Sequence, residues 1–338
     1  MMKLLFVVTL VLFQLSLQYV DDKPARVNKL FEQYNKEGSS GATVSVIKDG
    51  KFVYQNAFGL SDIRNNVKNQ KDTKFLIGST SKQFTALCIG ILEMEGKLKS
   101  TDPVSKFIPE FKFNNVSILN IIQHTSGVRD YLNLLLLKGK APLFDITRDE
   151  AFELIINQKT LGFRTGTKWD YSNSGYVLLE YIIERVSKLQ FNDFVKKNIL
   201  DPLGMKNTIL SKNVNEIIPK GSYGYIVNPD GSLSYAPLVS NAILGAGGIQ
   251  MSHDDFLKFD RNFYDNKLIG GQRLIDLITT PGHYLNGTKH HYAFGLQIHN
   301  INGLRMIEHS KILILKIFNK LLFRWCISRL FMLFCKIS

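Results

Sequence analysis

Cysteine is scarce in this chain, with Cys88, Cys326 and Cys335 the only three in 338 residues. Only Cys88 lies before residue 311, so no internal disulfide framework staples the main body. A chain of this length buries enough apolar surface to fold without staples, and the scarcity is compatible with secretion. Cys88 shares a helical face with Phe84 and Leu87 and reads as a small core residue, not a reactive thiol. The seven histidines include no His-x-His and no His-Glu-x-x-His, which removes the common zinc-hydrolase patterns. No Gly-x-Ser-x-Gly elbow occurs, which argues against an α/β-hydrolase. Internal repeats and long linkers are also missing. No basic run is interleaved with aromatics. The formal charge is +13, but residues 311–338 hold six of the cations and no acid. Elsewhere acids and bases are mixed, so nucleic acid is not an expected partner.

The patterning is that of a globular protein with strands towards both ends and helices between. Residues 42–48 alternate and are β-branched, Asp49-Gly50 follows, and a second apolar run ends near Gly59. This predicts a hairpin. Residues 80–95 carry Phe84, Leu87, Cys88, Ile91 and Leu92 at helical spacing, with Gly96 as the stop. A long amphipathic helix is expected over 176–190, after Ser172-Asn173-Ser174-Gly175. A second hairpin is expected over 292–299 and 303–308, turning at Asn302-Gly303. Residues 1–20 read as a signal peptide, with Lys3 ahead of an apolar run over 4–13 that is too short for a membrane span. Secretion also suits the two acceptor sequons at Asn115 and Asn286.

The chemistry is concentrated in Gly78-Ser79-Thr80-Ser81-Lys82. A serine at the start of a helix with a lysine three residues on places both on one face. The helix N-terminus adds backbone N–H groups and a positive dipole end, which suit an oxyanion. A serine hydroxyl is a weak nucleophile and needs a neighbour to accept its proton. Lys82 serves only if burial or nearby cations keep its pKa low. Spacing alone decides little, because Ser45 and Lys48 fit it too. Those two lie in a strand and point to opposite faces. Tyr171-Ser172-Asn173 is the second candidate element, since a tyrosine two residues before an asparagine suits a proton relay and substrate donor. Tyr-x-Asn occurs five times in this chain, but only this copy sits in a loop running straight into a helix.

Taken in order, these elements resemble the β-lactamase-related family, which includes penicillin-binding proteins and class C β-lactamases, over residues about 29–310. The resemblance is carried by Gly78-Ser79-Thr80-Ser81-Lys82-Gln83, His124-Thr125-Ser126-Gly127-Val128-Arg129-Asp130-Tyr131 and Tyr171-Ser172-Asn173. It continues through Asp201-Pro202-Leu203-Gly204-Met205 and Gly245-Ala246-Gly247-Gly248-Ile249. It implies an α/β (α+β) fold, with an antiparallel sheet flanked by helices and a helical subdomain inserted after the nucleophile helix. It also implies a serine hydrolase that acts through an acyl-enzyme on an amide, lactam or ester, with no cofactor and no metal. Ser79 would be the nucleophile, and Lys82 and Tyr171 would move its proton. Asn173 would hold the substrate amide or Lys82. His124 would be a structural loop residue. The expected partner is a small molecule or peptide.

The family's third element, His or Lys, any residue, then Gly, is only begun here. His309 would be its first member, and Lys311 stands where the glycine is expected. Residues 311–338 contain no Gly, Pro, Asp or Glu, where the family continues with a glycine-rich turn, two strands and a terminal helix. Three readings of this basic, apolar tail stay open: an alternative product of the gene, a membrane-contacting segment, or substitute strands. The damaged element also leaves open a chain that keeps the pocket without turnover, as a pseudoenzyme or binding protein.

Overall fold

The computed structural model describes residues 23–140, 146–211, 216–236, 243–301 and 303–309, with short stretches between 316 and 331. The signal peptide at 1–20 and Lys311 lie outside the described residues.

Strand β1 (Ala42–Lys48) pairs antiparallel with β2 (Lys51–Phe58), from Ala42 opposite Phe58 to Lys48 opposite Lys51, with the register shifting by one residue between Val46 and Ile47. Asp49 and Gly50 both take positive φ, which is the turn geometry an Asp-Gly pair favours between two strands. Ser45 sits on strand β1 and not at the start of a helix. After the short strands β3 (Leu60–Asp62), β4 (Val67–Lys68) and β5 (Phe75–Leu76), the chain enters a 3₁₀ turn over Gly78–Ser81. That turn runs directly into helix α2 (Lys82–Met94), the second helix after α1 (Lys23–Phe31). Residues 82–92 of α2 are buried on every side, as a helix at the centre of a domain must be. Lys82 is the only charge among them.

A helical region follows: α3 (Ile118–Ile122), α4 (Tyr131–Leu137), α5 (Arg148–Ile156) and α6 (Asn173–Ser187). Helix α6 begins and ends three residues earlier than its sequence pattern suggests. Ser172 offers no side-chain cap; the Asn173 N–H is instead received by Asp130, 43 residues back, so the helix starts at Asn173. Lys188 then closes it in a left-handed conformation. Beyond β6 (Ile209–Leu210) and the antiparallel pair β7 (Gly224–Val227) and β8 (Leu233–Ala236), strand β9 (Ile249–Met251) lies between β5 and β6 and is antiparallel to both. This pairing sets the glycine-rich turn Leu244–Gly247 against the start of α2.

The last hairpin, β10 (Gln297–Ile301) with β11 (Leu304–Glu308), is found, but it starts at Gln297 and not at Tyr292. Residues 292–296 instead make a buried turn. Gly295 there has φ +69, and a Cβ on it would sit 2.7 Å from backbone atoms of Lys82 and Gln83. The turn therefore packs directly on the first turn of α2. Among the described pairings β10 and β11 do not join β1; Arg329–Phe331 lies parallel to β1 over Ala42–Val44. Cys88 is buried in the core, where desolvation pushes its thiol up. The mixed architecture is the helix-flanked, antiparallel-sheet fold that the sequence implied.

Candidate active site

Ser79 lies on the 3₁₀ turn ahead of α2 and is half-buried, so its side chain stays within reach of solvent. Lys82, one turn on, is fully buried. Its Nζ donates to Asn173 Oδ1 at 2.8 Å and to the Ala246 carbonyl at 2.7 Å. The faces of the Tyr171 and Tyr176 rings lie 5.0 and 5.4 Å from the same nitrogen. Neither hydrogen bond goes to Ser79. Burial pushes the Lys82 ammonium down from 10.5 to about 7, against an upward pull from Asp130. A neutral amine has two N–H groups and one lone pair. Asn173 and Ala246 match the two donors, and the lone pair remains for a proton from the nucleophile.

Tyr171 lies in the loop before α6, and its hydroxyl is sealed from solvent without a hydrogen bond of ordinary geometry. Burial pushes its phenol up, the neighbouring Ser79 hydroxyl draws it back, and Asp130 adds to the rise. It therefore holds its proton at neutral pH. The backbone around it is set by His124, which takes a positive φ of 59°. His124 Nδ1 accepts from the Ser172 N–H at 3.2 Å, and its carbonyl accepts from the Asp170 N–H at 2.9 Å. A ring nitrogen that accepts from an N–H must be unprotonated, so the His124 proton sits on Nε2. Burial, then the Lys82 charge, holds His124 well below the usual histidine range. Its ring packs 4.3 Å from Tyr171 and 4.6 Å from Tyr292. It is a neutral support under the Tyr171 loop.

Asn173 joins Lys82 to a residue without an assigned role in the sequence reading. Asp130 Oδ2 accepts from both the backbone N–H and Nδ2 of Asn173, the latter at 2.9 Å. Its Oδ1 accepts from the Leu132 N–H at 2.9 Å and so caps α4. One carboxylate thus fixes the start of two helices and the amide that touches Lys82. Desolvation raises its pKa, and its hydrogen bonds and Lys82 oppose that. An aspartate ahead of a helix is legible as a cap; its reach to Asn173 is not. The Ala246 carbonyl is equally invisible in a list of side chains.

His309 follows β11 and is buried. Its Nε2 lies 3.3 Å from the Tyr292 hydroxyl. Burial, then the Lys82 charge, pushes it down to about 3, so it is neutral above strongly acid pH. The structure thus gathers Ser79, Lys82, Tyr171 and Asn173 around one buried amine, with His309 close enough to feel its charge. Among the described residues no group of three or more His, Cys, Asp or Glu is arranged to hold a metal ion.

The beta-lactamase family model matches residues 27–310. Penicillin-binding protein 4* of Bacillus subtilis is 28% identical over 302 residues, which is 86% of this chain and 66% of that protein. A D-aminopeptidase of Cereibacter sphaeroides is 28% identical over 275 residues, 80% of this chain and 52% of the relative. The chain therefore spans half to just under two thirds of these relatives. Among solved structures, an octameric penicillin-binding protein homologue from Pyrococcus abyssi superposes with a TM-score of 0.70 at 30% identity, covering 80% of this chain and 63% of that one. The matched stretch runs from ahead of the β1–β2 hairpin, through the turn that carries Ser79, to just past His309, and on that ground the chain belongs to the beta-lactamase family.

Proposed function

We propose that this chain is a serine hydrolase that cleaves amide bonds of amino-acid or peptide derivatives through an acyl-enzyme on Ser79. The observation that carries the reading is the buried Lys82 amine, brought to about 7 by desolvation one helical turn from a partly open serine. A base titrating near neutrality combines availability with proton affinity. Tyr171, which keeps its proton, does not compete for that role. In the first step Ser79 Oγ bonds to the substrate carbonyl carbon and its proton passes to Lys82 Nζ. The Ser79 backbone N–H supplies one donor to the oxyanion. The proton then travels by the Tyr171 hydroxyl to the departing amine nitrogen, and the C–N bond breaks. Water repeats the sequence on the ester and frees Ser79. The D-aminopeptidase among the relatives supports an amide as substrate. A reaction outside the cell is supported by reading residues 1–20 as a signal peptide, which intact mass of an exported, processed protein tests.

Exposure to an activated phosphonate and to a fluorescent β-lactam, followed by peptide mass mapping, tests the site. One adduct on Ser79 is expected, absent from Ser79→Ala and strongly reduced in Lys82→Ala. Ser79→Ala should lower turnover of amino-acid p-nitroanilides by about 10³-fold or more. A folded chain with residues 311–338 confirmed by mass and no adduct would overturn the reading in favour of a binding protein. The pH dependence has a definite sign. Lys82 must be neutral to accept a proton, so acylation should rise with pH through about 7. A rate that is flat from pH 6 to 8 excludes Lys82 as the base.

A further inference from the structure

Glu180 lies in the middle of α6 and is 1% exposed, a costly place for a carboxylate. Its two oxygens face different partners. Oε2 accepts from the Gly245 N–H at 2.8 Å, and Oε1 accepts from Arg148 Nη1 at 3.2 Å. Arg148 opens α5, where Thr147 caps the helix. The same Arg148 nitrogen donates to Glu184 at 2.8 Å, and Glu184 in turn accepts from the Phe191 N–H.

Gly245 belongs to the turn Leu244–Gly247, which is held from the other side by α2. The Gly245 carbonyl accepts from Thr85 Oγ1 at 2.8 Å, and the next carbonyl, that of Ala246, accepts from Lys82 Nζ at 2.7 Å. The fit has no slack. A Cβ on Gly245 would lie 2.8 Å from the Tyr176 carbonyl and 3.0 Å from Glu180 Oε2. The turn is therefore stretched between Glu180 on α6 and Lys82 on α2.

We propose that Glu180 is a positioning residue for Lys82: its ionised carboxylate, locked by Arg148, fixes the Leu244–Gly247 turn so that the Ala246 carbonyl meets the Lys82 amine. The inference rests on Lys82 being the base for Ser79. Only an ionised carboxylate accepts on both sides. A glutamine in its place turns an NH₂ group either towards the Gly245 N–H or towards the Arg148 guanidinium, and one contact becomes donor against donor. Burial raises the Glu180 carboxyl to about 7, with Arg148 and the Gly245 N–H opposing the rise, so the carboxylate that holds the turn forms as pH rises through neutrality. Asp130 supplies the charge that raises Lys82. Glu180 reaches Lys82 by contact, through the Gly245 N–H and the Ala246 carbonyl of the turn.

The test compares Glu180→Gln with Glu184→Gln, which removes a partner of the same arginine but does not touch the turn. Two quantities are read in each: the Lys82 titration, by ¹⁵N NMR of Nζ assigned through its loss in Lys82→Met, and the rate of Ser79 acylation by an activated phosphonate across pH. In Glu180→Gln the loosened turn admits water to the amine and relieves its desolvation. The Lys82 midpoint should rise by about one unit, and acylation at pH 7 should fall by about 5-fold. Affinity for a substrate ester should change by less than about twofold, because the turn acts on the base and not on ground-state binding. Glu184→Gln should leave the midpoint and the rate as in the parent protein. Should Glu180→Gln not fold, Arg148→Gln replaces it: without the cation Glu180 takes up a proton, loses one acceptor, and Lys82 shifts in the same direction. An unchanged Lys82 midpoint, or equal shifts in the Glu180 and Glu184 variants, overturns the proposal. If the parent protein is not acylated at all, the hydrolase reading fails, while the difference in Lys82 titration still decides this one.

Discussion

Lys82→Met is expected to melt at a higher temperature than the parent protein and to lose acylation at Ser79. The fold holds Lys82 at about 7 where the free side chain titrates at 10.5. Below pH 7 both states carry the proton, and the folded one suffers the full penalty of a buried ammonium, about 5 kcal/mol at 1.36 kcal/mol per unit. Between about 7 and 10.5 the unfolded chain binds the extra proton, so the penalty fades as pH rises through that window. Methionine fills a similar volume without charge, but it leaves Asn173 Oδ1 and the Ala246 carbonyl without a donor, at about 1–3 kcal/mol each. At the middle of that range the balance is a net gain of about 1 kcal/mol, or roughly 2 °C for a domain of this size. The gain should be greater at pH 6 than at pH 9, which thermal melts at the two values measure. A methionine variant that melts below the parent protein at both would show that Lys82 is not held against a desolvation penalty. The stored cost would be the direct reason that the amine is a competent base near neutrality.

How much of this was legible in the sequence varies with how local the cause is. The β1–β2 hairpin and α2 follow from alternation, an Asp-Gly turn and a 3.6-residue period, all contained within their own segments. The gathering of Ser79, Lys82, Tyr171 and Asn173 was expected through family resemblance, since Tyr-x-Asn by itself recurs too often to discriminate. The sequence misplaced events whose cause lies far along the chain. Helix α6 begins at Asn173 because Asp130 receives that N–H, and no window around residue 173 contains Asp130. The partner that completes the Lys82 site is the carbonyl of an alanine, a group every residue carries. The run 292–296 reads as strand, yet the left-handed Gly295 folds it into a turn against α2. Glu180 sits where a helical wheel places an apolar residue, and only Arg148 and the Gly245 N–H explain it.

Asp130→Asn should move the acylation profile in the direction opposite to Glu180→Gln. Asp130 is the charge that raises Lys82 against burial, so its loss lets desolvation act unopposed and brings the Lys82 midpoint below about 7. More of the amine is then neutral at neutral pH, and on that ground alone the rate would increase. The maximal rate should nevertheless fall by about 10²-fold, because Asn173 loses its anchor and an amine wrongly placed by even an ångström is a poor base. The carboxylate accepts three N–H groups, from Leu132 and twice from Asn173; an asparagine accepts on one side and presents an NH₂ to the other. The buried donors left unsatisfied should lower stability by about 1–3 kcal/mol. Rate–pH profiles of Ser79 acylation for the two variants side by side separate the cases. Opposite displacements mean that Asp130 acts on Lys82 by charge and Glu180 by position. A profile for Asp130→Asn that moves to higher pH would show that the water admitted by a loosened α4 and α6 outweighs the lost carboxylate, and that the first turn of α6 holds Lys82 dry more than Asp130 holds it charged.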